Sequence, residues 1–209
     1  MHPEAVSAKT RRVLEKIRQS GLGRDFYLAG GTALAIQLGH RESLDLDWFS
    51  ASDFSNSKIK EELASLGKFE LKSEEEGTIH GLLDGVRVSF LRYKYNLLFP
   101  FVDFEGVNLA EERDILAMKL DAISARGSKK DFVDLYFLME KYTLEELIGF
   151  FEKKFSSMKF NRLHLLKSLA YFEDADAEPA PIMLKKFDWE KEKSQIKKKV
   201  SDYLEKQIA

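Results

Sequence analysis

Asp45 and Asp47 stand one residue apart in the run Leu44-Asp45-Leu46-Asp47-Trp48. Alternation of this kind predicts a strand with both carboxylates on one face and Leu44, Leu46 and Trp48 turned to the core. Two carboxylates side by side repel each other and cost desolvation, so the pair calls for a cation. Mg²⁺ takes oxygen ligands of this type, together with the phosphates of a substrate. Just upstream, Gly30-Gly31-Thr32 follows a short apolar run, Phe26 to Ala29. Glycines at a strand-to-helix turn let backbone N–H groups approach an anion, and the positive end of the following helix points the same way. A phosphate cradle beside a metal-binding Asp pair is equipment for transferring a nucleotidyl group. A tight turn and a solvated edge strand are the plainer alternatives for the two features taken singly.

Other residues can assist. His40, Arg41 and Ser43 lie between the helix and the Asp strand, within reach of a triphosphate, and Arg offers phosphate a fixed fork of donors. Thr32 can cap the helix or touch a phosphate. Lys119 interrupts an apolar run (Leu116, Met118, Leu120), where a bare ammonium is costly, and it shares a helix face with Arg126. An acidic partner or a phosphate would satisfy it. Lys130, Asp131 and Asp134 sit at helical spacings of three and four. Periodicity alone reads them as ordinary acidity at a helix N-terminus. Ser89 falls in the strand VRVSFLRY, Val86 to Tyr93, where a nucleotidyl-transfer site often places a third carboxylate.

The elements that position these groups are legible from pattern. A first helix is expected over Pro3 to Ser20. Strands are expected at Phe26–Ala29 and Leu44–Trp48, and a helix from Lys58 to Leu66. Three short strands follow, around Phe69–Leu71, Ile79–Leu83 and Val86–Phe90, giving a mixed sheet of about five. From Leu109 the period changes from two to 3.6, and helices run to the end of the chain. The fold class is α+β: a mixed β-sheet with flanking helices in residues 1–109, followed by an all-helical domain over residues 110–209.

Composition sets the outer limits. The 209 residues are 44% hydrophobic and 33% charged, with a formal net charge of −2, so a nucleic-acid partner would need a local basic patch. Cysteine is absent, which excludes disulfides and thiolate metal sites. The N-terminal residues lack an apolar leader and no stretch approaches a membrane span, so a cytoplasmic location is expected.

Three segments together carry a family resemblance. YLAGGTALAIQLGHRESLDLDWFS, KLDAISARGSKKDFVDLYFL and LLKSLAYFEDAD resemble, in order, signatures of the AbiEii/AbiGii-type nucleotidyltransferase toxins of the nucleotidyltransferase-fold superfamily. The resemblance implies a nucleotidyltransferase-like fold whose helical domain completes the active site. It implies Mg²⁺-dependent transfer of a nucleoside monophosphate from a nucleoside triphosphate to RNA (tRNA among them) or protein. It also implies the toxin role in a toxin–antitoxin or abortive-infection pair, with a cognate antitoxin as a partner. By position, Asp45 and Asp47 would bind metal, Gly30 and Gly31 phosphate, and Lys119 the nucleotide. Asp131 would be the essential acid, as base or metal ligand, supported by Asp134 and Lys130. Ser89 departs from the three-carboxylate pattern. That departure keeps open a degenerate nucleotide-binding module, and a small-molecule (antibiotic) nucleotidyltransferase is the other alternative.

Overall fold

The computed structural model describes residues 1–208. The chain forms two compact units, Met1–Glu111 and Glu112–Ala209.

The first unit holds a seven-stranded sheet. In chain order it comprises a 3₁₀ turn (Pro3–Ala5), α1 (Ala8–Gln19), α2 (Leu22–Asp25), β1 (Tyr27–Ala29), α3 (Gly30–Leu38), β2 (Leu46–Ser50), α4 (Asn56–Leu66), β3 (Phe69–Glu75), β4 (Thr78–Leu83), β5 (Val86–Arg92), β6 (Val102–Phe104) and β7 (Val107–Leu109). Strand order is β3-β4-β5-β2-β1-β7-β6. The β2–β5 and β1–β7 pairs are parallel and the others antiparallel. The sheet is thus mixed, as expected, but it has seven strands rather than five. β6 and β7 span three residues each, too few for an alternation to register in sequence. Their hairpin turns on Glu105-Gly106, both at positive φ, and β4–β5 turns on Asp84-Gly85 in the same way. Two consecutive positive-φ residues make the type I′ turn that matches strand twist.

One face of the sheet is core. Leu28, Leu46, Trp48, Phe90 and Leu109 are fully buried, and Trp48 stacks on Phe90 with the planes 8° apart. Trp48→Ala is expected to cost about 3–5 kcal/mol through the cavity it leaves, read as a lowered urea midpoint. Leu44 is a correction: β2 begins only at Leu46, and Leu44 is 56% exposed. The expected helix over Pro3–Ser20 is also broken. Val6 forms a parallel bridge with Ser43, the Ser43 N–H donates to the Ala5 carbonyl at 2.8 Å, and Ser7 then caps α1 by accepting from the Thr10 N–H. The N-terminal segment therefore pins the α3–β2 connection.

The second unit is all helix, as expected: α5 (Glu112–Ala125), α6 (Lys129–Met139), α7 (Leu144–Lys154), α8 (Arg162–Ser168), α9 (Glu173–Ala177) and α10 (Trp189–Ile208). Thr143 and Glu146 form a capping box at the start of α7. α10 turns Glu192, Ile196, Val200 and Tyr203 inward, whereas Trp189 and Leu204 are only partly covered. No helix among the described residues is long and apolar enough to cross a membrane.

Candidate active site

Gly30 and Gly31 form the first turn of α3 rather than a separate loop. Ala29, which precedes them, offers no side-chain cap. Gly30 takes φ +66, a left-handed conformation that costs a side-chain-bearing residue about 1–2 kcal/mol. A Cβ at Gly30 would lie 3.0 Å from Asp47 Oδ2. A Cβ at Gly31 would collide with Arg41 Nη2. The two glycines therefore keep the start of the helix bare where an aspartate and an arginine converge. Arg41 is 3% exposed, and its Nη1 donates to the Glu42 carbonyl at 3.0 Å. A guanidinium held beside the positive end of a helix adds to the field that favours a phosphate there. Gly31→Ala is expected to displace Arg41 and weaken triphosphate binding roughly 10–100-fold, the value of a charge-assisted hydrogen bond. Calorimetric titration with a nucleoside triphosphate checks this.

Asp47 pairs with Ala29 of β1 on one side and Ser89 of β5 on the other. It is half-buried, between the fully buried Leu46 and Trp48. Asp45 lies just before β2, where its Oδ1 is 3.8 Å from the exposed Arg87. Thr32 faces inward. Its hydroxyl donates to the Asp45 carbonyl and pairs with the Ser43 hydroxyl at 2.8 Å. Thr32 and Ser43 thus fix the approach to β2. Gly39 ends α3 in the left-handed conformation, and the adjacent His40 is fully buried.

Among the described residues, no group of three or more His, Asp or Glu could hold a metal by itself. Two half-exposed carboxylates beside a bare helix N-terminus are the donor set that suits Mg²⁺, which completes its shell with water and substrate phosphates. Asp45 and Asp47 would hold it.

The second unit gathers Lys119, Asp131 and Asp134. Lys119 Nζ is 2.7 Å from Asp131 Oδ1 and 2.6 Å from Asp134 Oδ2. Ser128, at the N-cap of α6, donates to Asp131 Oδ2 at 2.7 Å. The Asp131 and Asp134 side chains are 1% and 0% exposed. Burial pushes the Asp131 carboxyl upward, but the Lys119 ammonium and the two hydrogen bonds outweigh it and hold the group below the usual range. The α5–α6 crossing thus gives the buried Lys119 two acidic partners. Arg126 is exposed, its Nε 3.5 Å from Asp131 Oδ2. Lys130 is exposed, and it is Lys129 that is buried, donating to the Glu178 carbonyl.

Known proteins can now be set beside this geometry. The family model for the nucleotidyl transferase AbiEii toxin of type IV toxin–antitoxin systems matches residues 12–109 and 96–207. The chain belongs to the AbiEii nucleotidyltransferase toxin family. An uncharacterized Aquifex aeolicus (strain VF5) protein, aq_aa25, is 41% identical over 207 residues, covering 93% of this chain and 96% of the relative. The crystal structure of JHP933 from Helicobacter pylori is similar at TM-score 0.57 and 18% identity, with 97% of this chain and 96% of that chain covered. MenT4, a nucleotidyltransferase toxin from Mycobacterium tuberculosis H37Rv, is similar at TM-score 0.54 and 15% identity, covering 93% and 84%. These two likenesses establish the nucleotidyltransferase-like fold. Family membership makes the AbiEii chain a nucleotidyltransferase of toxin type.

Two residues drew no role from sequence. Ser128 is a hydrogen-bond donor to Asp131. His80 drew no reading at all, yet its Nδ1 lies 3.0 Å from Ser89 Oγ. The Asp84-Gly85 turn carried the signal for that pair, because a two-residue hairpin fixes which residues oppose each other.

Proposed function

We propose that this protein transfers a nucleoside monophosphate from a nucleoside triphosphate to a hydroxyl of an acceptor, with Mg²⁺ held by Asp45 and Asp47. The observation that carries the reading is the convergence of Asp47 and the buried Arg41 on the Gly30-Gly31 start of α3. The ion, when bound, neutralises charge on the triphosphate. The N–H groups at Gly30 and Gly31 and the Arg41 fork bind phosphate oxygens. Thr32 and Ser43 hold the backbone that carries Asp45. Lys119 is assigned the nucleotide contact that the resemblance implies. Asp131 and Asp134 hold its ammonium in place. Arg126 and Lys130 supply positive charge near it.

The acceptor we assign is RNA, tRNA among its forms, with protein as the second choice. A cognate antitoxin is the expected genetic partner. Incubation of the protein with each α-³²P-labelled nucleoside triphosphate, Mg²⁺ and total cellular RNA tests the assignment. Label in a discrete RNA band, absent with Asp45→Asn, is the expected result. Label in protein alone would move the acceptor. Nucleotide binding without transfer to any acceptor would favour a binding module, for which Ser89 in place of an acid is the supporting feature.

A further inference from the structure

The sheet aligns three polar side chains in one row. Ser89 is the register partner of Asp47 across β2–β5 and of His80 across β4–β5. Directly opposed residues share a face, so His80, Ser89 and Asp47 all project to the side that bears the Asp pair. All three are half-buried. Neighbouring strands lie about 4.8 Å apart, so the backbones of His80 and Asp47 are separated by roughly 10 Å. Ser89 stands on the strand between them, so an acceptor hydroxyl would sit above the row, over the serine, within reach of the imidazole on one side and the carboxylate on the other. The charged residues beside this row are Arg87 on β5, Asp45 before β2, and Lys72 and Glu74, which flank Ser73, the β3 residue opposite His80.

An attacking hydroxyl must lose its proton, and Ser89 is no base. Asp131 is 1% exposed, with one oxygen receiving Lys119 and the other Ser128. On the Asp face, the side chain next to the serine with a nitrogen available to accept is His80. We propose that His80, oriented by Ser89, takes the proton of the attacking acceptor hydroxyl, in the role that a third carboxylate fills in related folds. The inference rests on the nucleotidyl-transfer reading above. In the required tautomer Nδ1–H donates to Ser89 Oγ and Nε2 faces the acceptor. The acceptor oxygen forms a bond to the α-phosphorus. The bond from that phosphorus to the bridging oxygen breaks, its electron pair leaves with pyrophosphate, and the proton goes to Nε2. His80 then returns the proton to solvent. Ser89 is a positioning residue in this scheme.

The test uses the full chain, the labelled donor and total RNA. His80→Ala is expected to lower kcat about 100-fold, within the range of general-base catalysis, with KM for the donor changed less than about twofold. Added imidazole should restore at least about tenfold in His80→Ala and nothing in Asp47→Asn. Ser89→Ala should lose rate and Ser89→Thr should keep most of it. His80→Gln, which retains a hydrogen bond to Ser89 but is not basic, should match His80→Ala in the absence of imidazole. Full rate in His80→Gln overturns the proposal, as does a loss in His80→Ala that imidazole leaves untouched. No transfer by the wild-type protein to any acceptor overturns both this proposal and the reading beneath it.

Discussion

Asp47→Asn is expected to reduce label transfer about a thousandfold while leaving the fold intact. A bound divalent ion stabilises transition-state charge by several kcal/mol, and each 1.36 kcal/mol is a factor of ten. Asparagine keeps the shape of aspartate but loses the charge that holds the ion. Asp47 is half-buried, so the change in stability should be small beside the loss of transfer. The expected pattern is lost turnover and weakened Mn²⁺ binding by calorimetry, with a urea midpoint that moves little by comparison. Asp45→Asn should behave alike. A variant that lost stability and activity in parallel would show that Asp47 is a structural residue.

Lys119→Met should do the opposite and destabilise the helical unit. Removing one partner of a buried ion pair leaves uncompensated charge and costs about 3–5 kcal/mol. Here two carboxylates, 1% and 0% exposed, lose the same ammonium. The pH dependence gives this variant a signature. In the wild type the Asp131 carboxyl is held below its unfolded value. Its contribution is therefore complete above about pH 4, near the unfolded value, and is lost as pH falls through the lower folded value. In Lys119→Met the burial that pushes Asp131 upward is no longer opposed by Lys119. The sign then reverses, and the variant should gain stability as pH falls from 7 towards 5, where the wild type does not. Urea unfolding at those two pH values reads the difference. Replacing Lys119, Asp131 and Asp134 together with apolar residues of similar size should recover most of the stability without recovering transfer.

The Asp strand was legible because its alternation is local. Leu46 and Trp48 are fully buried where alternation places them. Leu44 broke the pattern because Ser43 is tied to Ala5 and Val6, a contact that no local period reports. The helical half was legible for the same reason as the strand, since stripes and caps are short-range signals. Two kinds of information were not. β6 and β7 are too short to show a period. The partners of Lys119 depend on how α5 crosses α6, so spacing gave Asp131 and Asp134 as neighbours on a helix but not as the acids that receive that lysine. The row from Asp47 through Ser89 to His80 needed the parallel β2–β5 pairing, which joins residues 42 positions apart. The β4–β5 half of that row could have been derived from Asp84-Gly85.

The most direct test of the account compares two labels in one donor. The wild-type protein is incubated with Mg²⁺, RNA and the triphosphate it binds, labelled at the α- or the γ-phosphate. Nucleotidyl transfer predicts that the α label moves to the acceptor while the γ label is released in pyrophosphate. Transfer of the γ label to the acceptor would make the protein a phosphotransferase and contradict the account. Retention of both labels in intact triphosphate would contradict it as well.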